Sequence, residues 1–257
     1  MATGHARVGA VGHTPYYADD TIGNKNAGFH NSVYRGKYLG NSLSAAQIAA
    51  IQAGTFDDLF VGDYWTINGV NWRIAGFDTH YRTGDTSLTN HHVAVVPDSN
   101  LYSAKWNDSN TTSGGYVGSG IRTNIKAASG DAQGAEAKVI AAFGNTHVLA
   151  YRALYPTTYD TNGKATGWAW TDAKVELMNE TMVYGHQVWG QNSYEDGTDK
   201  QQLPLFALNP TMVNIRANWW LRSVSSATTA CGVGTSGYAD NSGASYSIGV
   251  RPLSLIG

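Results

Sequence analysis

Asn218-Trp-Trp-Leu-Arg-Ser-Val224 and Ser245-Tyr-Ser-Ile-Gly-Val-Arg-Pro252 are the two stretches that decide how the end of this chain folds. Side chains alternate faces along a strand, so Trp219, Leu221 and Ser223 share one face and Trp220 and Arg222 the other. In the second stretch Tyr246, Ile248 and Val250 oppose Ser247, Gly249 and Arg251. The polar, glycine-rich residues 225–245 between them predict a terminal meander, with a turn at Asp240-Asn241-Ser242-Gly243. Two readings of Trp219, Trp220, Arg222 and Arg251 follow. They form either a sugar-stacking platform beside a cation, or the fastenings of a sheet whose guanidinium groups meet carboxylates or loop carbonyls.

Upstream, Asp63–Asp78 reads as a β-hairpin around Asn68-Gly69, a pair suited to a turn with positive φ at both central positions. Trp65 and Ile67 on one arm, and Val70, Trp72 and Ile74 on the other, alternate with polar residues. Before it, Ser44 and Gln47 make a capping box and Leu43 and Ile48 a hydrophobic staple, which predicts a helix of about ten residues stopped by Gly54. "HHVAVVPD" (91–98) predicts a strand ended by Pro97, "AEAKVIAAFGN" (135–145) a helix stopped by Gly144, and "HVLAYRAL" (147–154) a strand. "AKVELMNETMVYG" (173–185) fits both helical and strand periods. Long polar stretches, 98–120, 155–173 and 185–218, separate these pieces. The expected class is α+β, with short strands, two or three small helices and large loops.

Charged residues make up 14% of the chain, against roughly 25% in ordinary soluble domains, so Ser, Thr, Asn, Gly and Tyr must build much of the surface. A net charge of -2 offers no basic footprint for nucleic acid. No window is apolar enough to predict membrane insertion. The first twenty residues contain no apolar run of the kind that marks a secretory signal. Cys231 is the single cysteine, which excludes an intrachain disulfide and a cysteine-clustered metal site. Residues 1–42 lack periodicity and are expected to form an extended arm that docks on other chains, ahead of a domain over 43–257.

The tryptophan-rich "WWLRS", the glycine-rich stretch after it and the closing "GVRP" resemble the C-terminal signature of a domain of unknown function common in Firmicutes phages and prophages. "GDYWTINGVNWRIAGFD" is similar to its opening hairpin, "GGYVGSGIRTNI" to its middle helix, and "VELMNETMVYG" to the segment before the signature. "YRGKYLGNSLSAAQIAAIQAGTFDDLFVGDYW" is similar to the leader of phage members, so the resemblance covers residues 33–257. It implies a C-type-lectin-like fold, with the terminal elements in a small central sheet and the intervening loops exposed. It also favours the reading of Trp219, Trp220, Arg222 and Arg251 as fastenings.

The function expected from this is that of a virion structural protein, assembled in the host cytoplasm. It would be a head fibre or decoration protein, or a component of a tail or baseplate fibre. Its partners would be other virion proteins through the arm, further copies of itself (a homotrimer by analogy), and a host-surface glycan or protein. A bacterial cell-surface glycan-binding module is the alternative. No enzyme is expected: Gly-x-Ser-x-Gly is missing, "GVGTSG" (232–237) precedes no helix pattern, and Cys231 alone cannot supply a cysteine pair. No cofactor or metal is expected either. His91 and His92, adjacent on a strand, would point apart. Asp57-Asp58 reads as a solvated turn. Trp106-Asn107-Asp108 matches the tripeptide of calcium-dependent lectins but lacks its Glu-Pro-Asn companion. The candidate ligand contacts are Tyr238, Asp240, Asn241 and Tyr246, because Tyr gives contact area at low entropic cost beside adaptable polar groups. The same four residues also fit an ordinary solvated turn.

Overall fold

Asn68 and Gly69 adopt φ of 53° and 76°, and the turn they make folds β1 (Tyr64–Ile67) back on β2 (Val70–Phe77) with Trp65 opposite Trp72. The structure, a computed structural model, describes residues 26–127, 134–190 and 200–257. From the hairpin, sheet I grows through β3 (Val93–Pro97) and β12 (Pro252–Ile256) to β7 (Val175–Leu177), all by antiparallel pairing. Sheet II has the order β10 (Ala239–Gly243), β9 (Thr229–Val233), β8 (Trp219–Val224), β11 (Ser247–Val250), β4 (Tyr102–Lys105). Its β8–β11 contact is parallel, and the others are antiparallel. A separate hairpin pairs β5 (Tyr151–Tyr159) with β6 (Ala165–Ala173). β3, β7, β8 and β12 are buried on both faces, which explains the unbroken apolar run of β3 and means that Glu176, Arg222, Ser223 and Ser254 on the other three are buried as well.

Seven short helices surround the sheets among the described residues: α1 (Ala27–His30), α2 (Ala45–Gln52), α3 (Gly120–Ile125), α4 (Ala135–Phe143), α5 (Glu180–Tyr184), α6 (Pro204–Leu208) and a 3-10 turn (Pro210–Val213). The architecture is therefore α+β, mostly sheet. At α2 both bonds of the capping box form, Gln47 N–H to Ser44 Oγ at 3.2 Å and Ser44 N–H to Gln47 Oε1 at 2.9 Å. That same Gln47 oxygen accepts the Trp65 indole N–H at 3.0 Å, so the cap also fixes the helix against β1. α4 ends at Gly144 as expected. The segment 173–185 fits two periods because it holds two elements, β7 and then α5, divided where the Asn179 side chain caps the Met182 N–H at 2.7 Å. Behind β7, Glu176 is fully buried and takes bonds from the Arg122 guanidinium at 2.8 Å and the Tyr116 hydroxyl at 2.8 Å. This pair pins α3 to sheet I.

Several sequence expectations change, among them the helix count, since six short α-helices stand among the described residues where two or three were expected, and the terminal meander, since β11 pairs with β8 in parallel. Residues 151–173 form the β5–β6 hairpin, where a strand over 147–154 followed by a polar loop was expected. His91 and His92 precede β3 and lie outside it. Asp240–Gly243 is strand β10, with Asp240 opposite Gly232 and Asn241 opposite Cys231. The chain reverses earlier, at Thr235-Ser236, where the Gly237 N–H closes on the Gly234 carbonyl at 2.8 Å, and again after β10 at Ala244-Ser245.

Of the expected arm, residues 1–25 lie outside the described residues. Residues 26–42 lie against the body of the same chain. Tyr34 bridges Val61 and Tyr38 bridges Tyr64, both in parallel sense, so this strap covers the outer edge of β1. Arg35 reaches the fully buried Asp63 at 2.6 Å, and the Asp63 carboxylate also accepts the Lys37 and Phe60 backbone N–H groups at 2.8 Å.

Candidate binding surface

One residue, Arg251, separates β11 of sheet II from β12 of sheet I. It is fully buried, and its guanidinium donates to the Pro97 carbonyl at 2.8 Å and the Met212 carbonyl at 3.0 Å. It lies over the Trp219 ring at 5.0 Å and the Phe206 ring at 5.5 Å. Burial pulls its pKa down to about 10, which still leaves it charged at neutral pH. On β8, the Trp220 indole donates to the Ala104 carbonyl at 2.9 Å, and the Trp106 indole donates to the Leu221 carbonyl at 3.3 Å. Arg222 donates to the Leu177 carbonyl at 2.9 Å, crossing to sheet I, and lies 4.9 Å from the centre of the Tyr155 ring. Trp219, Trp220 and Arg251 expose nothing and Arg222 almost nothing, so no sugar can stack on them. They are fastenings, and carbonyls and ring faces serve the two arginines as partners.

What β8 carries outward is the β9–β10 hairpin. Tyr238, next to the start of β10, is 55% exposed. Its ring lies over Gly234, where an added Cβ would sit 2.2 Å from the ring, and its carbonyl accepts the Gly234 N–H at 2.8 Å. Asp240 and Asn241 are half-buried and neighbours on β10, so they face opposite ways. The Asp240 carboxylate accepts the Asn241 N–H at 2.9 Å. Tyr246 is 61% exposed but lies in the turn beyond the far end of β10. The structure thus puts Tyr238 and Asp240 at one end of this edge strand and Tyr246 past the other, about 16 Å of strand away from the first. The four candidates do not converge on one point.

A residue outside the predicted set joins the Tyr238 end. Trp189, 46% exposed, donates its indole N–H to the Ala239 carbonyl at 3.1 Å. Its backbone is gripped from below by Glu180, which is fully buried at the first turn of α5. The Glu180 carboxylate accepts the N–H groups of Val188 at 3.0 Å, Trp189 at 2.9 Å and Gly190 at 2.8 Å. Close by, the Tyr184 hydroxyl donates to the Gly237 carbonyl at 3.2 Å; burial first, then the charges of Glu180 and Asp240, hold its pKa well above the usual phenol range. The only sequence sign of Trp189 is an apolar pair, Val188-Trp189, inside a polar stretch.

The remaining candidates are consumed by the fold. Trp106 is buried, and Asn107 spends its side chain on the Thr111 carbonyl at 2.7 Å and the Gly120 N–H at 2.7 Å, bracing a loop. Asp58 is more than a solvated turn, since it pairs with Arg35 and with Lys37, and Lys37 lies 2.6 Å away. His92 is fully buried; its Nε2 accepts the His80 N–H at 3.1 Å, and burial lowers its pKa to about 4, so it is a neutral core group. His91 bonds Asp78 at 2.7 Å and stacks on Tyr81. Cys231 is buried in β9. Among the described residues no three His, Cys, Asp or Glu side chains stand where they could share a metal ion. Nor does any described helix have the length and apolarity to cross a membrane. A groove of 640 Å³ runs between residues 37–39 and the alanines of α2, and none of the four candidates lines it. Compared with protein-family models, with curated proteins and with solved structures, the chain matches none.

Proposed function

We propose that the protein is a non-enzymatic bacteriophage virion component, a head fibre or decoration protein or part of a tail or baseplate fibre. Its body would be a C-type-lectin-like domain that displays the β9–β10 edge to the host surface. The N-terminal residues would dock on other virion proteins, and the display unit would be a homotrimer. The resemblance of "WWLRS…GVRP" to the phage domain supports this reading.

The observation that carries it is a division of labour around β8. Its conspicuous residues are spent on holding two sheets together, while Tyr238 and Tyr246 stand more than half exposed just beyond the two ends of edge strand β10. Exposed, amphipathic rings on a rigid edge are the materials of a contact surface. The test is to image by cryo-EM the particles produced from the genome that encodes the chain, and to identify their proteins by mass spectrometry. The expected result is density for this domain on the particle exterior, in threefold copies. Finding the chain on the cell envelope and missing from particles would replace the reading with the surface glycan-binding module.

A further inference from the structure

Burying a carboxylate is costly unless every oxygen is satisfied, and the fold commits such a group to an exposed loop. Glu180 is fully buried, and its bonds go to three consecutive backbone N–H groups, those of Val188, Trp189 and Gly190. Charge-assisted bonds of this kind are the stronger sort, so the loop is held firmly. Gly190 belongs to the grip, because a Cβ there would meet the Glu180 carboxylate at 3.1 Å. Yet the ring thus positioned is not core. Trp189 stays 46% exposed, and the bond from its indole N–H to the Ala239 carbonyl fixes the ring's rotation. A desolvated charge that immobilises a half-exposed indole yields little core burial in return. It makes sense if the exposed part of the indole takes part in a contact with a ligand.

The neighbours narrow the ligand. Ala239, which accepts the indole, lies between Tyr238 and Asp240 in sequence. The edge therefore presents a second exposed ring and one carboxylate within a few residues, Tyr238 and Asp240 lying two positions apart and so on one face. Ring faces carry negative charge density and attract the polarised C–H bonds on the flat side of a pyranose, while a carboxylate accepts hydrogen bonds from its hydroxyls. The Asp240 carboxylate disfavours an anionic ligand.

We infer that Trp189, Tyr238 and Asp240 form a subsite for a neutral pyranose oligosaccharide, with Trp189 as the stacking platform and Glu180 as its positioning residue. The inference rests on the outward display proposed above and names what that display holds.

The full chain is titrated by calorimetry with chitohexaose, cellohexaose and maltohexaose, and with hexagalacturonate as the anionic counterpart. At least one neutral hexamer is expected to bind, and more tightly than hexagalacturonate. Trp189→Ala should weaken that binding by about tenfold or more, in line with the loss of a ring at the centre of a contact. Tyr238→Ala should weaken it less. Trp168→Ala, which removes a partly exposed ring on β6, should leave it unchanged. Glu180→Gln keeps both rings but loosens the loop, and should weaken binding while faster amide exchange at residues 188–190 reports the loosening. Failure of every neutral hexamer to bind overturns the inference, as does binding that survives Trp189→Ala or prefers hexagalacturonate. Cell adsorption that persists in Trp189→Ala overturns this subsite and leaves the display reading standing. Binding through Trp189 by a chain absent from particles does the reverse.

Discussion

Arg251 shows how one residue can look like a site and act as a joint. It stands where the chain leaves sheet II for sheet I, and it reaches the Pro97 carbonyl at the end of β3 while covering Trp219 of β8. A guanidinium suits that place because its donors point in several fixed directions at once and its flat face tolerates an indole. An ammonium offers a single point of charge. Arg251→Lys should therefore lower stability by about 2–4 kcal/mol, the worth of one or two bonds to a charged donor in a dry setting. Urea unfolding followed by tryptophan fluorescence measures this, and an unchanged midpoint would remove Arg251 from the joint. Sequence alternation had already placed Arg222 and Arg251 among candidate fastenings. It left carboxylates and loop carbonyls both open as their partners, since Pro97 and Leu177, whose carbonyls satisfy them, lie far away in the chain. Trp189 was illegible for a related reason, because its significance depends on a carboxylate nine residues earlier and on an edge strand fifty residues later.

Two Asn-Gly pairs, Asn68-Gly69 and Asn162-Gly163, both turn hairpins, yet only the first reads plainly from sequence. Around Gly69 the strands carry apolar residues at alternate positions. Around Gly163 the signal is masked, since Pro156 interrupts β5, and on β6 the alternate Trp168 and Trp170 face outward. Proline is tolerated here because a two-stranded hairpin has only edge strands. The helix ends were easier, because the α2 box and the α4 stop at Gly144 are local chemistry. The two turns also differ in their surroundings, and that difference is measurable. Gly69 has φ of 76° and open space around an added Cβ, so Gly69→Ala should cost about 1 kcal/mol from backbone strain alone. Gly163 has φ of 86°, and a Cβ there would sit 2.6 Å from the Ser226 carbonyl carbon. Gly163→Ala must therefore also shift backbone, at about 2–4 kcal/mol. Equal denaturation midpoints for the two variants would show that the β5–β6 tip does not pack on residues 226–227.

At the scale of the whole molecule, the question is how the first described residues relate to the rest. β1 is the edge of sheet I, and an open edge leaves backbone groups unpaired. The strap over residues 34–40 closes it. Arg35 N–H donates to the Val61 carbonyl at 2.9 Å, Leu39 N–H to the Tyr64 carbonyl at 2.8 Å, and Tyr64 N–H returns to the Lys37 carbonyl at 2.9 Å. Composition gives no sign of this, because a strap that borrows its order from a neighbouring strand needs no apolar period of its own. Its anchor is the Arg35–Asp63 pair, and Asp63 is fully buried. Cutting the strap would strand that carboxylate, leaving only the Phe60 N–H among the partners described above, and removing one member of a buried pair typically costs about 3–5 kcal/mol. A chain beginning at Leu43 should therefore be less stable by at least that much than one beginning at Asn26, and its exposed β1 edge should promote association. Urea unfolding and light scattering on the two truncations measure both effects. Equal stability and equal monodispersity would mean that the strap only rests on sheet I, and that the body beyond residue 42 holds its edge without it.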